Sequence, residues 1–249
     1  MTTPRIEVGP SKDATTAAIA AALSESIRAA QDARGTAHLV LTGGSMGGAS
    51  LVGLQHPQVG PVDWSRVHLW WGDERFVPSG HPDRNETEAR EALLDRLGLD
   101  PSMVHAMPAT DGPDGDDVAA ATTRYAAELA AHAADGHDVP AFDVLMLGVG
   151  PDAHIASLFP HHPAQRVTGA PTVAVEDSPK PPPVRISLTY PAINAARQVW
   201  FMVAGAEKAD AVQAALATGA DPWDTPASGA HGSQDTVWWL DAAAAARIR

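Results

Sequence analysis

The sequence predicts an α/β protein of one domain, built on a mostly parallel sheet with helices on both faces. Short apolar runs alternate along the chain with longer stretches of helical period, the trace left by alternating strands and helices. The runs are near-continuously apolar, as in HLVLTGG (38–44) and FDVLMLGVG (142–150). They are therefore buried on both faces, which helices above and below a parallel sheet provide. No repeat of solenoid or propeller period interrupts the pattern. The acidic, Gly/Pro-rich PATDGPDGDD (108–117) reads as an exposed loop inside a single domain spanning 1–249.

Taken in order, RIEV (5–8) is a first strand and a helix follows over 13–32. That Ala-rich helix carries Ser24, Glu25 and Arg28 and is too polar to span a bilayer. HLVLTGG (38–44) ends in glycine, with a helix beginning near Ser45. VHLWWGDE (67–74) repeats strand then polar turn, and NETEAREALLDRLG (85–98) is an amphipathic helix closed by Gly98. After MVHAM (103–107) and the acidic loop comes a helix over 117–134. FDVLMLGVG is the most hydrophobic strand. TVAV (172–175), VRISLTY (184–190), QVWFMVAG (198–205) and TVWWLD (236–241) complete the strands, and AEKADAVQAALA (206–217) is the last clear helix.

Composition removes several function classes. With no cysteine there is no disulfide framework, thiol nucleophile or thiolate metal site. A formal charge of −13 argues against nucleic acid, whose binding rests on phosphate neutralisation by Lys and Arg. A small anion held by a few local cations remains open, and with only three lysines (Lys12, Lys180, Lys208) any lysine beside a motif matters. The opening MTTPRIEVGPSKDA has neither a basic nor an apolar signal region. A cytoplasmic protein without a membrane partner is expected.

Ligands of open parallel sheets bind beyond the carboxyl ends of the strands, and three strand ends carry chemistry. In LTGGSMGG (41–48), Gly43, Gly44 and Ser45 place free N–H groups at a helix start, a ready anion site. The plain alternative is a tight turn with Ser45 as N-cap. In WGDERFVP (71–78), Asp73 and Glu74 directly precede Arg75, whose fork can be oriented by carboxylates and still face an anion. In GPDAHIASLFP (150–160), His154 suits proton transfer near neutrality, and Asp152 can fix its tautomer and support the imidazolium. PKPPPVRISLTYP (179–191) delivers Arg185 into a strand, and GAEKAD (205–210) puts Lys208 in a first helical turn, where the dipole favours an anionic ligand to offset it. No metal is expected in this site, because His154, His161 and His162 lack a recognised ligand spacing.

These blocks, with the following NETEAREALL, RISLTYPAINAARQVWFMVAGAEKADAV and VWWLD, resemble in content and order those of the 6-phosphogluconolactonase family over roughly residues 38–241. The resemblance implies a Rossmann-like, doubly wound fold shared with glucosamine-6-phosphate deaminase. It implies hydrolysis of 6-phospho-D-glucono-1,5-lactone to 6-phosphogluconate, the second step of the pentose phosphate pathway, without a nucleotide cofactor; no cofactor at all and a monomer or small homo-oligomer are expected. By resemblance His154 falls on the general base, preceded by Asp152. Asp73 and Arg75 line the site, and Gly43, Gly44, Ser45, Arg185 and Lys208 grip the phosphate. Two departures stand out: Ala153 where the family commonly has glycine, and GGSMGG in place of GGSTP. The deaminase continues from its histidine into IAFNEP; this chain reads IASLFP, with no carboxylate there. A nicotinamide dehydrogenase is disfavoured because the G-x-G-x-x-G fingerprint is missing. A DNA-binding sugar sensor is disfavoured by the acidic charge and the lack of a helix-turn-helix before residue 38.

Overall fold

The computed structural model describes residues 3–248; Met1, Thr2 and Arg249, which bound the expected leaderless start and the expected domain, lie outside the described residues. Six strands form a wholly parallel sheet: β1 (Arg5–Gly9), β2 (Ala37–Leu41), β3 (Val67–Trp71), β5 (Val144–Gly148), β8 (Gln198–Val203) and β9 (Asp235–Asp241). Their order is β1-β9-β8-β5-β2-β3. The central strands β2, β5 and β8 are buried along nearly their whole length, as their continuous apolar character requires. No described helix is long and apolar enough to cross a membrane.

Helix α1 (Lys12–Arg34) packs on β1, β2 and β9, and α2 (Gly44–Gly53) on β5 and β8. Helix α1 is capped by Ser11, which accepts from the Ala14 N–H, and ends at Gly35 in the left-handed region, φ 85°. Helix α3 (Asn85–Ala92) is shorter than the expected 85–98: the chain breaks at Leu93 and buries both Leu93 and Leu94 at a 3₁₀ turn. Helix α4 (Val118–Ala131) meets β3 through Tyr125, whose hydroxyl accepts from the Trp71 N–H and donates to the His105 carbonyl.

One expectation is corrected. The run 67–74 is two strands, not one. After β3 the chain turns at Gly72, and β4 (Asp73–Arg75) enters a separate antiparallel sheet with β7 (Arg185–Leu188) and β6 (Thr172–Val175), in the order β4-β7-β6. The physical reason is connection length. Parallel neighbours need a crossover of about a dozen residues or more. Between Val175 and Arg185 the chain has only residues 176–184, with prolines at 179, 181, 182 and 183, so β7 folds straight back on β6. The short helix α5 (Tyr190–Asn194) then leads to β8, and α6 (Ala209–Ala215) follows a 3₁₀ turn at 206–208.

The amino-terminal ends of β2 and β3 carry a run of imidazoles. The register pairs His38 with His68, whose rings stack 4.5 Å apart. Next come His105, stacked on Trp70 at 3.8 Å, and His132 at the end of α4. Burial, with neighbouring imidazoles adding to it, holds His38 down to about 3 and His68 to about 4.

Candidate active site

Segments from both sheets and the turn before α6 close a cavity of about 280 Å³ at the carboxyl ends of β2, β3 and β5, close to the lower size of small-ligand sites, about 300 Å³. Gly43, Gly44, Asp73, Arg75, His154, Arg185 and Lys208 all line it. A larger cleft of about 470 Å³ lies by Ala134, Pro140 and Arg197, but offers no imidazole–carboxylate pair facing convergent cations. Chemistry selects the smaller one.

The imidazole and its carboxylate sit on one tight turn after β5. The Ala153 N–H donates to the Gly150 carbonyl and the Gly150 N–H to the His154 carbonyl, both at 2.9 Å. This folds the two side chains back over Gly150, where a Cβ would stand 2.0 Å from His154 Nδ1 and 2.3 Å from Asp152 Oδ1. Glycine is therefore required there. His154 Nδ1 meets Asp152 Oδ1 at 2.6 Å. With the Nδ1 proton held by the carboxylate, Nε2 carries the lone pair. Burial pushes the Asp152 carboxyl up, but the His154 hydrogen bond, the imidazolium charge and the Lys180 ammonium outweigh it and hold the group well below the usual carboxylate range. Asp152 thus stands behind the histidine and does not line the cavity. Ala153 has φ 62°, so the alanine replaces glycine where the left-handed region is needed, at a steric cost of about 1–2 kcal/mol. Its methyl group is 4% exposed and joins the core, which offsets part of that cost.

The β4 wall is a tightly knit network. Asn85 Nδ2 donates to the Asp73 carbonyl at 2.8 Å, while Asn85 Oδ1 accepts from Arg75 Nη1 at 2.9 Å. Gly43 lets the β2–α2 turn rest on this amide: a Cβ would lie 1.9 Å from Asn85 Oδ1. Asp73, buried, accepts from Ser157 Oγ at 2.6 Å and faces Arg185 Nη1 at 3.9 Å. Glu74 accepts the N–H groups of Arg75, Asn85 and Glu86. Burial pushes it up to about 7 against Arg84 and those donors. Arg84, itself 1% exposed, reaches the Met107 carbonyl at 2.7 Å and the Glu86 carboxylate at 3.2 Å.

The cations divide by how free they are. Arg75 is anchored through Nη1 to Asn85 and the Asp83 carbonyl, leaving Nη2 without a protein partner among the described residues. Arg185 spends Nε and Nη2 on the carbonyls of Pro182, Lys180 and Pro181, so it shapes the proline loop more than it faces the cavity. Lys208 donates to the Val149 carbonyl at 2.9 Å, and burial and the nearby Lys180 push its pKa down.

Two expectations shift at the start of α2. The N-cap is Gly43, with no side-chain cap, and Ser45 is exposed and lies one residue outside the cavity lining. The Gly44 N–H already donates to Glu88 Oε2 at 2.8 Å, so an anion binding there has to displace a carboxylate. Lys208 ends a 3₁₀ turn and caps α6 rather than lying inside it. His161 lies beside Asp224 and Trp223, and His162 meets the Glu176 carbonyl, so neither joins His154.

Sequence reasoning missed Lys180, Asn85 and Thr42. Lys180 Nζ lies 3.3 Å from Asp152 Oδ1 and 3.2 Å from His154 Nδ1 and lines the cavity. Its rarity, one lysine of three, was the available signal. Asn85 reads in sequence only as a helix start.

An imidazole backed by a carboxylate and facing a cationic pocket, at the carboxyl ends of a parallel sheet, gives this α/β protein the layout that acid–base chemistry on a small anion needs. Comparison with known proteins narrows the class. The family described as glucosamine-6-phosphate isomerases/6-phosphogluconolactonase matches residues 10–239. A 6-phosphogluconolactonase of Streptomyces coelicolor is 53% identical, over 99% of this chain and 95% of that protein. One of Mycobacterium tuberculosis is 50% identical over 98% of each. The solved 6-phosphogluconolactonase of Trypanosoma brucei, 26% identical, covers 100% of both chains with a TM-score of 0.83. The chain belongs to the glucosamine-6-phosphate isomerase/6-phosphogluconolactonase family, as an enzyme of its 6-phosphogluconolactonase branch.

Proposed function

We propose that the protein hydrolyses 6-phospho-D-glucono-1,5-lactone to 6-phospho-D-gluconate in the cytoplasm, in the oxidative branch of the pentose phosphate pathway, with His154 as general base. The observation that carries this reading is His154, backed by Asp152, lining one cavity with Arg75, Lys180 and Lys208. His154 Nε2 takes a proton from water as the oxygen attacks the lactone carbonyl. The carbonyl electrons move onto its oxygen, forming a tetrahedral oxyanion. Collapse breaks the bond to the ring oxygen, which leaves with the proton returned by the imidazolium, giving the open hydroxy acid. Positioned base catalysis contributes about 10²–10⁴-fold.

Arg75, whose Nη2 has no partner among the described residues, is the better oxyanion donor; Arg185 is held by three carbonyls, its remaining Nη1 faces the Asp73 carboxylate, and it acts through the loop that carries Lys180. Asp73 positions rather than reacts, since its oxygens are taken by Ser157 and Asn85. Lys208, with Gly43, Gly44 and Ser45 at the start of α2, grips the phosphate, and binding there holds the reacting carbon against the base. An arriving dianion relieves the mutual repulsion of Lys180 and Lys208. Phe159 supports hydrolysis over deamination: it stands where the deaminase motif has its glutamate, and its ring lies 4.6 Å from the His154 ring. We read the chain as one domain, a reading supported by an apolar cluster that joins both sheets.

The test is turnover of freshly generated lactone, corrected for spontaneous opening, in His154→Ala. That variant should fold normally and lose turnover by about 10²–10⁴-fold. Near-normal turnover overturns the assignment.

A further inference from the structure

We propose that His68, His105 and His132 form a site for a borderline divalent transition ion, Zn²⁺ by preference, at the end of the sheet opposite the catalytic cavity. One ring nitrogen from each of the three lies within 4.8 Å of one from each of the others. None of the three lines the catalytic cavity. They come from separate segments. His68 is the second residue of β3, His105 hydrogen-bonds the Leu69 carbonyl beside that edge strand, and His132 caps the carboxyl end of α4.

The hydrogen bonds around the cluster leave lone pairs for a metal. His105 Nδ1 meets Glu128 Oε1 at 2.7 Å, so this nitrogen donates and Nε2 is left bare. A carboxylate behind a ligating imidazole is the usual outer partner of metal-bound histidine, fixing the tautomer and raising basicity. His132 Nδ1 meets the Glu128 carbonyl at 3.1 Å, which fixes its lone pair on Nε2 in the same way. His68 Nδ1 lies 2.9 Å from His105 Nε2. Without an ion, His68 must donate its proton there; with one, it moves that proton to its own Nε2 and the metal takes the gap. No proton is gained or lost.

The dimensions suit a small ion. Bonds of about 2.0–2.1 Å in a tetrahedron put ligand nitrogens about 3.4 Å apart. The 2.9 Å pair therefore opens by roughly half an ångström, and any wider pair closes on it. His132, at a helix end with 30% of its side chain exposed, supplies most of that movement. Three neutral imidazoles suit Zn²⁺, Co²⁺ or Ni²⁺ and exclude the oxygen-seeking Ca²⁺ and Mg²⁺. Glu128, 45% exposed, opens the site to solvent, and water completes the coordination. The ion would tie the end of α4 to the edge strand, a structural role.

Isothermal titration of Zn²⁺ into chelator-treated protein tests this, with Co²⁺ absorption as a second probe. The expected result is one equivalent bound and a raised Tm. His132→Ala and His68→Ala should abolish both, while Glu128→Gln weakens binding by about 10–100-fold. His154→Ala, which leaves the cluster intact, should bind like the unaltered protein. Circular dichroism and lactonase turnover of His132→Ala check that it folds, and His132→Gln serves in its place if it does not. Absence of stoichiometric binding, binding retained without His132, or binding lost with His154 would each overturn the proposal.

Discussion

Replacing Asp152 by asparagine removes one charge and almost no volume, so it isolates what the carboxylate does for the histidine. In the native site Asp152 Oδ1 sits 2.6 Å from His154 Nδ1. Two outcomes are open to the amide. If its oxygen faces Nδ1, the tautomer survives and only the charge that supports the imidazolium is lost. A hydrogen bond to a charged group contributes about 1.5–3 kcal/mol, which is ~10–150-fold in rate. Asp152 is 34% exposed and also faces Lys180, so solvent and the ammonium screen the pair and the loss falls in the lower part of that range, about 10–30-fold. If the NH₂ faces Nδ1, the lone pair is drawn to Nδ1, Nε2 carries the proton, and the whole base contribution of about 10²–10⁴-fold goes. In either case kcat falls by at least ~10-fold, and KM stays near its native value because Asp152 is outside the cavity lining. Steady-state turnover of fresh lactone, with spontaneous opening subtracted, reads both. A kcat within threefold of native, or a loss confined to KM, refutes the claim that this carboxylate orients and supports the base.

Other expectations follow from the same network. If Lys208 grips the remote phosphate as proposed, Lys208→Ala should raise KM by about 10–100-fold with little change in kcat through loss of a charged hydrogen bond; the native enzyme's KM should also rise with salt more steeply than the variant's. Arg84→Met should destabilise the fold by ~3–5 kcal/mol in urea unfolding, since it strips a buried guanidinium from Glu74, Glu86 and the Met107 carbonyl. Arg84→Lys should rescue little of this, since an ammonium cannot reproduce the fork. The pH dependence has two opposing parts. His38, His68 and His105 are all lowered by burial, so the unfolded chain binds more protons and stability falls as pH drops from about 6.5 toward 4. Glu74 is raised to about 7, so between about 4.5 and 7 the native state binds the extra proton and stability falls as pH rises. Three groups against one make net acid destabilisation the expected result, and Glu74→Gln should steepen it. Urea midpoints from pH 4.5 to 7 check both signs.

How far these features could be read from the chain depends on the range over which each is encoded. Apolar runs such as 142–150 register burial residue by residue, so they announced the parallel sheet. The glycine that ends the strand at 150 is written in the chain, but its reason is not: only a backbone without Cβ lets His154 and Asp152 fold over Gly150. Lys180 escaped notice because its partners lie 26 and 28 residues away, and a proline loop reads as a spacer until β7 folds back on β6. The three carbonyls that hold Arg185 are hidden for the same reason: they come near it only when the loop closes.

The sequence by itself determined the strand–helix alternation, the three strand ends that carry chemistry, and the placing of an imidazole and a carboxylate two residues apart on one of them. All of these are local, set by periodicity and backbone sterics. Only the tertiary structure decided that Asp73–Arg75 leaves the main sheet, that three carbonyls hold Arg185 with its Nη1 turned to the Asp73 carboxylate, and that Lys180 stands beside His154. Those outcomes depend on which distant carbonyls and carboxylates take each donor first, a competition that exists only once the chain has closed on itself.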